Sequence, residues 1–362
     1  MQKKSARNSN IELLRILSML MIVAHHYAVF GFYAEDLAFS RNKIFVDLFG
    51  MGPRVGVDLF VLISGYFLVS ARFRLRKLLI FMGSVWFYSL GMLAVFALTG
   101  LARIGAAELR GALLPLLTGQ YWFASYYALL LLFSPFLNAM LGALDRRRHL
   151  LLCLLLTALC TVQPELLHLT YAEGILPLFT ALYLCGAYIR LHVPAGTRAA
   201  NGSLLCALAV LLLCALKIVL GDMAAQRAGD YPALEGSLRF LGVYSPYALL
   251  AAVLLLMSAA CRPPADNRFV CRVGGLCFGV YLFHANPFLS GFVWQGVFHT
   301  AEMADSPRLI LHALGTTAAL FAAGCLVERL RLLTAARVWE RAVDAVLPRL
   351  EKRLRLSDGG GS

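Results

Sequence analysis

Apolar residues run along most of this chain in blocks broken by short stretches of charge or of Gly and Pro. A helix needs about 20 such residues to cross the hydrocarbon core of a bilayer. Ten blocks can be drawn, at 11–31, 55–71, 78–99, 122–144, 150–163, 174–191, 203–220, 241–260, 273–297 and 308–328. The fifth is short for a crossing and runs into Pro164, where a helix tilts or breaks. The pattern predicts an all-α polytopic membrane bundle of about ten transmembrane helices. No repeat, low-complexity tract or soluble domain separates the blocks, so residues 1–330 read as one membrane domain. Residues 331–356 change character. Trp339, Val343, Val346, Leu350 and Leu354 recur at helical spacing, with Arg337, Arg341, Arg349, Lys352 and Arg353 elsewhere around the turn. That is a basic amphipathic helix for the headgroups of an anionic leaflet. Residues 357–362 form a flexible tail.

Composition narrows the class. With 60% apolar and 15% charged residues, the chain is neither an ordinary soluble enzyme nor a disordered or collagen-like one. Its net charge of +13 invites a nucleic-acid reading until the cations are located. With the N-terminus inside, 23 of the 33 Lys and Arg fall in inner segments and 8 in outer ones. Arg15 and Lys217 lie within spans, Lys217 snorkelling to the outer headgroups. The bias places both termini in the cytoplasm, with an even number of crossings and no nucleic acid as partner. The first block carries Glu12 and Arg15 and no small-residue cleavage site, so it reads as retained rather than as a signal peptide. The nine cysteines lack zinc-type CxxC spacing and avoid the predicted outer loops. They read as buried small apolar residues, with Cys261 and Cys271 in a loop, and imply neither a disulfide framework nor a metal.

Scarce charge inside the spans is more informative than the surplus outside. An ionisable group in lipid is costly and faces a cavity, a partner or a functional site. The first block holds Glu12, Arg15, His25 and His26. Arg15 and His26 are eleven residues apart, about three turns, so they share one face roughly 16 Å apart along the axis. Met19 and Ile22 lie between them, while His25 points away. This stripe offers a cation at the inner mouth of a path and a titratable base toward its outer end, or else two groups that serve helix packing. In the second block Arg54 and Asp58 are one turn apart. Asp58 either orients the His26 imidazole or neutralises Arg54. Ser64, Gly56 and Gly65 suit close helix approach. Trp122 and Tyr121, Tyr126 and Tyr127 fit an interfacial belt, and Asn138 is placed to line the inner path. His284, Asn286 and Pro287 fall at mid-membrane in the ninth block. No phosphate loop, HExxH helix, nucleophile elbow or dinucleotide fingerprint occurs.

NIELLR with His26 ten intervening residues after Arg15, then GVDLFVLISGYFL, QYWFASYYALLLLFSPFLN and FGVYLFH, resemble in order the landmarks of the acyltransferase-three family of integral membrane acyl transferases. They extend from residue 11 to residue 284, about three quarters of the chain. Glu12 stands where the family often has Asp, Val61 replaces a Phe, and His25 is an extra neighbour. The resemblance implies about ten spans in the inner or plasma membrane. It also implies transfer of an acetyl or similar small acyl group from cytoplasmic acyl-CoA to a hydroxyl of an extracytoplasmic carbohydrate or cell-envelope acceptor. By position it makes Arg15 and His26 the motif pair, with Arg54, Asp58 and Ser64 in the second landmark.

The residues are compatible with that chemistry. Arg15 and the run Arg72, Arg74, Arg76 and Lys77 offer cations to the anionic donor. His26 offers a base near neutral pH for the acceptor, either deprotonating it or carrying the acetyl transiently. Asp58 is its candidate partner, and Glu12, His25, Arg54, Ser64, Trp122, Asn138 and His284 are candidates for shaping the site. Acetyl-CoA enters as co-substrate, with no tightly bound cofactor expected. The competing readings are a proton-coupled transporter or flippase for a polar envelope precursor, using the same histidines as a relay, and a non-catalytic scaffold for polysaccharide assembly. The lack of repeat symmetry counts against a transporter.

Overall fold

In lipid a backbone must satisfy its own N–H and C=O groups, and apolar blocks do so as helices. The computed structural model describes residues 8–32, 39–164, 174–229 and 242–354, and among them there is no strand. Lys3, Lys4, Arg7, Arg239 and the tail at 357–362 lie outside the described residues.

Among the described residues, six helices are long and apolar enough to cross a membrane. They are α1 (Ser9–Phe32), α4 (Leu75–Leu98), α6 (Trp122–Gly142), α8 (Ile175–His192), α9 (Thr197–Ala228) and α14 (Leu309–Leu333). The other predicted blocks are helical but shorter or broken. Helix α3 (Pro53–Leu68) has 16 residues and carries Arg54 and Asp58. Helix α10 (Pro246–Cys261) is apolar, also with 16 residues. In the fifth block, α7 (Arg146–Thr157) passes into a π turn at Ala158–Val162 and stays helical to Pro164.

The ninth block departs most from expectation. It divides into α11 (Arg268–Gly274), α12 (Cys277–His284) and α13 (Pro287–Gly291), with a π turn at Phe292–Val297, and its two halves meet at 78°. Pro287 cannot donate to a continuing helix, and the Asn286 side chain caps the new one by accepting from Phe288 N at 3.0 Å. Two helices fall in predicted loops, α2 (Arg41–Gly50) and α5 (Ala106–Leu113).

Small residues set the packing. A Cβ at Gly56 of α3 would lie 2.7 Å from the Ser18 carbonyl of α1. Further along α3, a Cβ at Gly65 would overlap the Tyr183 carbonyl of α8, and one at Gly186 of α8 would overlap the Leu62 carbonyl. These backbones touch, which only glycine permits. On this centre pack α1 and α10, against α3, and α7, against α8, whereas α9 turns Leu205, Leu208, Leu212 and Leu213 outward.

Helix α14 runs to Leu333, so Arg331 belongs to it and not to the amphipathic helix, which begins at Ala335 as α15 (Ala335–Leu354). Helix α15 docks on α4. Trp339 Nε1 donates to Leu79 O at 2.9 Å, and Arg76 reaches Asp344 at 2.7 Å and Glu340 at 3.4 Å. Val343 is buried while Val346 stays exposed, so only part of the predicted apolar stripe faces protein.

The cysteines are all free, but they are not all buried. Cys206 is exposed on the outward face of α9, and Cys185, Cys271 and Cys325 are half-buried. Cys261 ends α10, buried, and Cys271 lies within α11, so neither sits in a loop.

Candidate functional site

A cavity of about 390 Å³ opens between α1, α3, α6 and the broken α12–α13 segment. Helix α1 supplies Met19, Ile22, His26 and Phe30 from one face, and His25, expected to point away from that stripe, lines the cavity too. Arg54, Val57 and Phe60 come from α3, Trp122 and Phe123 from α6, and Phe278 and Tyr281 from α12. Gln120, just before α6, adds an amide. The walls are aromatic and aliphatic, with a few polar groups converging on them, the usual make-up of a small-molecule site.

The two histidines of α1 differ in how they are held. His25 Nδ1 bonds the Gly50 carbonyl at 2.9 Å, fixing its ring against the end of α2. His26 Nδ1 is closed off and has no hydrogen-bond partner, although the ring lines the cavity. Its neighbours are the rings of Phe30 at 5.0 Å and His284 at 4.9 Å, centre to centre. His284 is buried, bonded through Nδ1 to Val280 O at 2.6 Å, and its Nε2 also lacks a partner.

Of the two partners open to Asp58, the structure pairs it with Arg54, Oδ1 to Nη2 at 2.6 Å, with both side chains buried. No hydrogen bond joins Asp58 to His26. A buried carboxylate one turn from a guanidinium takes the charge in preference to a neutral ring. Arg54 Nε is left without a partner in the cavity wall.

The remaining candidates lie away from the cavity, toward the end of the bundle that gathers α15 and the start of α1. Arg15 donates to both Glu12 oxygens, at 2.9 and 3.1 Å, and its guanidinium lies 5.5 Å from the Phe67 ring centre. The stripe from Arg15 to His26 therefore divides: Met19, Ile22 and His26 line the cavity, while Arg15 is engaged below it. Ser64 Oγ donates to its own helix, at Phe60 O. Asn138 bridges Leu68 O and the Tyr183 hydroxyl, at 2.9 and 2.7 Å, which is a helix-to-helix tie and not a pore lining. Arg76 is taken up by α15. Arg72, Arg74 and Lys77 are exposed around a small depression with Leu131 and Ser134.

Several residues of the site were missed in the sequence. Tyr281 precedes His284 by three positions and so shares its face, a signal that was available. Phe123 and Gln120 enter through tertiary packing alone. Away from the cavity, near the α15 end, Arg331 grips both Glu328 oxygens at 2.7 Å, an i,i+3 pair legible in the spacing, and Tyr88 donates to the same carboxylate at 2.9 Å, a partner that only packing supplies.

A family model described as an acyltransferase domain matches residues 8–330, and the chain belongs to that family, the acyltransferase-three family. No curated protein and no solved structure matches the chain.

Proposed function

We propose that this membrane acyltransferase moves an acetyl or similar small acyl group from cytoplasmic acyl-CoA to a hydroxyl of an extracytoplasmic carbohydrate or other envelope acceptor. The observation that carries the reading is His26. It is an imidazole in the wall of a cavity within the bundle, with one nitrogen sealed off and nothing bonded to the other. A base held this way meets the first requirement of general-base catalysis, reach to a substrate proton.

His26 takes the acceptor's hydroxyl proton as the oxygen attacks the thioester carbonyl. The C–S bond breaks, the CoA thiolate leaves, and the imidazolium returns the proton to it. The acceptor gains an ester and CoA leaves as its thiol. Arg54 lines the same cavity, and its guanidinium is the group proposed to meet the oxyanion that forms on the carbonyl. Trp122 and Phe123 give flat apolar walls on which a sugar ring can stack. Acetyl-CoA is the co-substrate, with no tightly bound cofactor proposed.

The end with α15 is read as cytoplasmic, with both termini there, about ten crossings counting the short and broken helices, and an inner or plasma membrane location. The exposed Arg72, Arg74 and Lys77 then face the anionic donor. Arg15 acts through its pairing with Glu12, holding the lower part of the stripe and not serving as a free cation.

The test supplies [14C]acetyl-CoA to membranes holding the full chain, with surface glycan extracted from cells lacking the gene. Label in the glycan with wild type, and none with His26→Ala at equal protein level, is the expected result. Equal labelling by the two overturns the reading.

A further inference from the structure

Two imidazole nitrogens in adjacent rings have nothing to bond. His26 Nδ1 and His284 Nε2 are both closed off from solvent and both lack partners. Their rings lie 4.9 Å apart, centre to centre, tilted by 49°. Buried polar atoms in folded proteins are almost always paired, so two orphans on neighbouring rings call for one explanation.

The proton positions follow from the partner that is present. His284 Nδ1 sits 2.6 Å from the Val280 carbonyl oxygen, and a carbonyl can only accept. Nδ1 of His284 therefore carries hydrogen, and in the neutral ring Nε2 is left with a lone pair. The bond to Val280 is made one turn back on the same helix, so α12 itself sets the ring's orientation. His26 Nδ1 can satisfy that lone pair by carrying hydrogen. Ring centres 4.9 Å apart are within the span of one N–H···N bond once the His26 ring turns to aim Nδ1 at Nε2. With its hydrogen on Nδ1, His26 presents Nε2 as the bare base.

We propose that His284 is a positioning residue. By accepting from His26 Nδ1–H through Nε2, it holds His26 in the tautomer whose Nε2 is basic and steadies the imidazolium that forms on proton transfer. A carboxylate does this in the Ser-His-Asp triad. Here the nearby carboxylate, Asp58, is committed to Arg54, and a neutral ring is cheaper to bury than a second charge. The inference rests on His26 acting as the base.

The experiment compares His284→Gln, which keeps an acceptor, with His284→Leu, which does not, beside His26→Ala. Each is the full chain in detergent, assayed with [14C]acetyl-CoA and the extracted glycan. His284→Leu is expected to lower kcat about 100-fold or more with KM for acetyl-CoA unchanged, and His284→Gln to stay within about tenfold of wild type. Full kcat in His284→Leu overturns the proposal, as does an equal loss in His284→Gln when both variants keep the wild-type thermal midpoint. Should either variant unfold, 15N NMR of histidine-labelled wild type decides: hydrogen on His26 Nδ1 is expected, and hydrogen on Nε2 overturns. Inactive His26→Ala with fully active His284→Leu removes the role of His284 alone. Full activity in His26→Ala removes the base reading and this inference with it.

Discussion

The α15 end of the bundle and the His26 cavity treat polar groups in opposite ways. Near α15 each buried charge meets its opposite with well-aligned bonds: Arg15 on Glu12, and Arg331 on Glu328 with Tyr88 behind it. At the cavity Arg54 and Asp58 touch, yet Arg54 Nε, His26 Nδ1 and His284 Nε2 have no hydrogen-bond partner. Stability alone would select the first arrangement, because an unmet buried polar atom costs about 1–3 kcal/mol. The proposed function accounts for the second: His26 Nδ1 and His284 Nε2 serve each other, and the cavity side of the His26 ring is left for a substrate. The two ion pairs each lie within one helix, and Tyr88 of α4 ties into the second from across the packing, whereas the proposed chemistry lies at the cavity wall.

Four substitutions break or sharpen that contrast. His26→Ala acts on the unsaturated side and is expected to cut acetyl transfer by about 10²–10⁴ while the thermal midpoint in detergent stays at the wild-type value. A parallel fall in both would move His26 to the structural side. Glu328→Ala acts on the saturated side. It strands Arg331 in a buried setting, at about 3–5 kcal/mol, and a large drop in thermal midpoint is expected. An unchanged midpoint would show that the network does not hold α14 in place.

Gly186→Ala is a control without charge. Its Cβ would overlap the Leu62 carbonyl, and the crossing of α3 and α8 is expected to lose about 1–3 kcal/mol, read as a smaller drop in midpoint. Asp344→Ala gives the smallest effect. Arg76 holds the Asp344 carboxyl below its usual range, so this contact persists above that range and is lost as pH falls through the lowered value. Both side chains face solvent, which screens the pair, so no change in thermal midpoint is expected at neutral pH. A clear drop would make α15 a main support of α4.

Much of the architecture was legible in the apolar pattern. Each of the ten blocks falls on helix, because lipid leaves a backbone few other options. The break in the ninth block was written in Asn286-Pro287, yet the 78° bend was not, since its angle depends on what the second half packs against. The phase of α1 carried Met19, Ile22 and His26 correctly to one wall. The same phase suggested that Arg15 continues the path, and it does not, because Glu12 one turn away captures it. Asn138 misled for a similar reason: a lone amide in a span signals a need for partners and is silent on whether they are water or other helices.

The sequence by itself determined the helical class, the membrane setting and the family landmarks, since these depend on periodicity, run length and local order along the chain. Only the tertiary structure decided that Asp58 serves Arg54, that His284 stands beside His26 from a helix more than 250 positions away, and that Gln120 and Tyr281 share the cavity with His26. The physical reason is range. Helix periodicity fixes which face a residue occupies, but a polar group's partner is chosen by competition among everything packed against that face. That competition is resolved only when α1, α3, α6 and α12 come together.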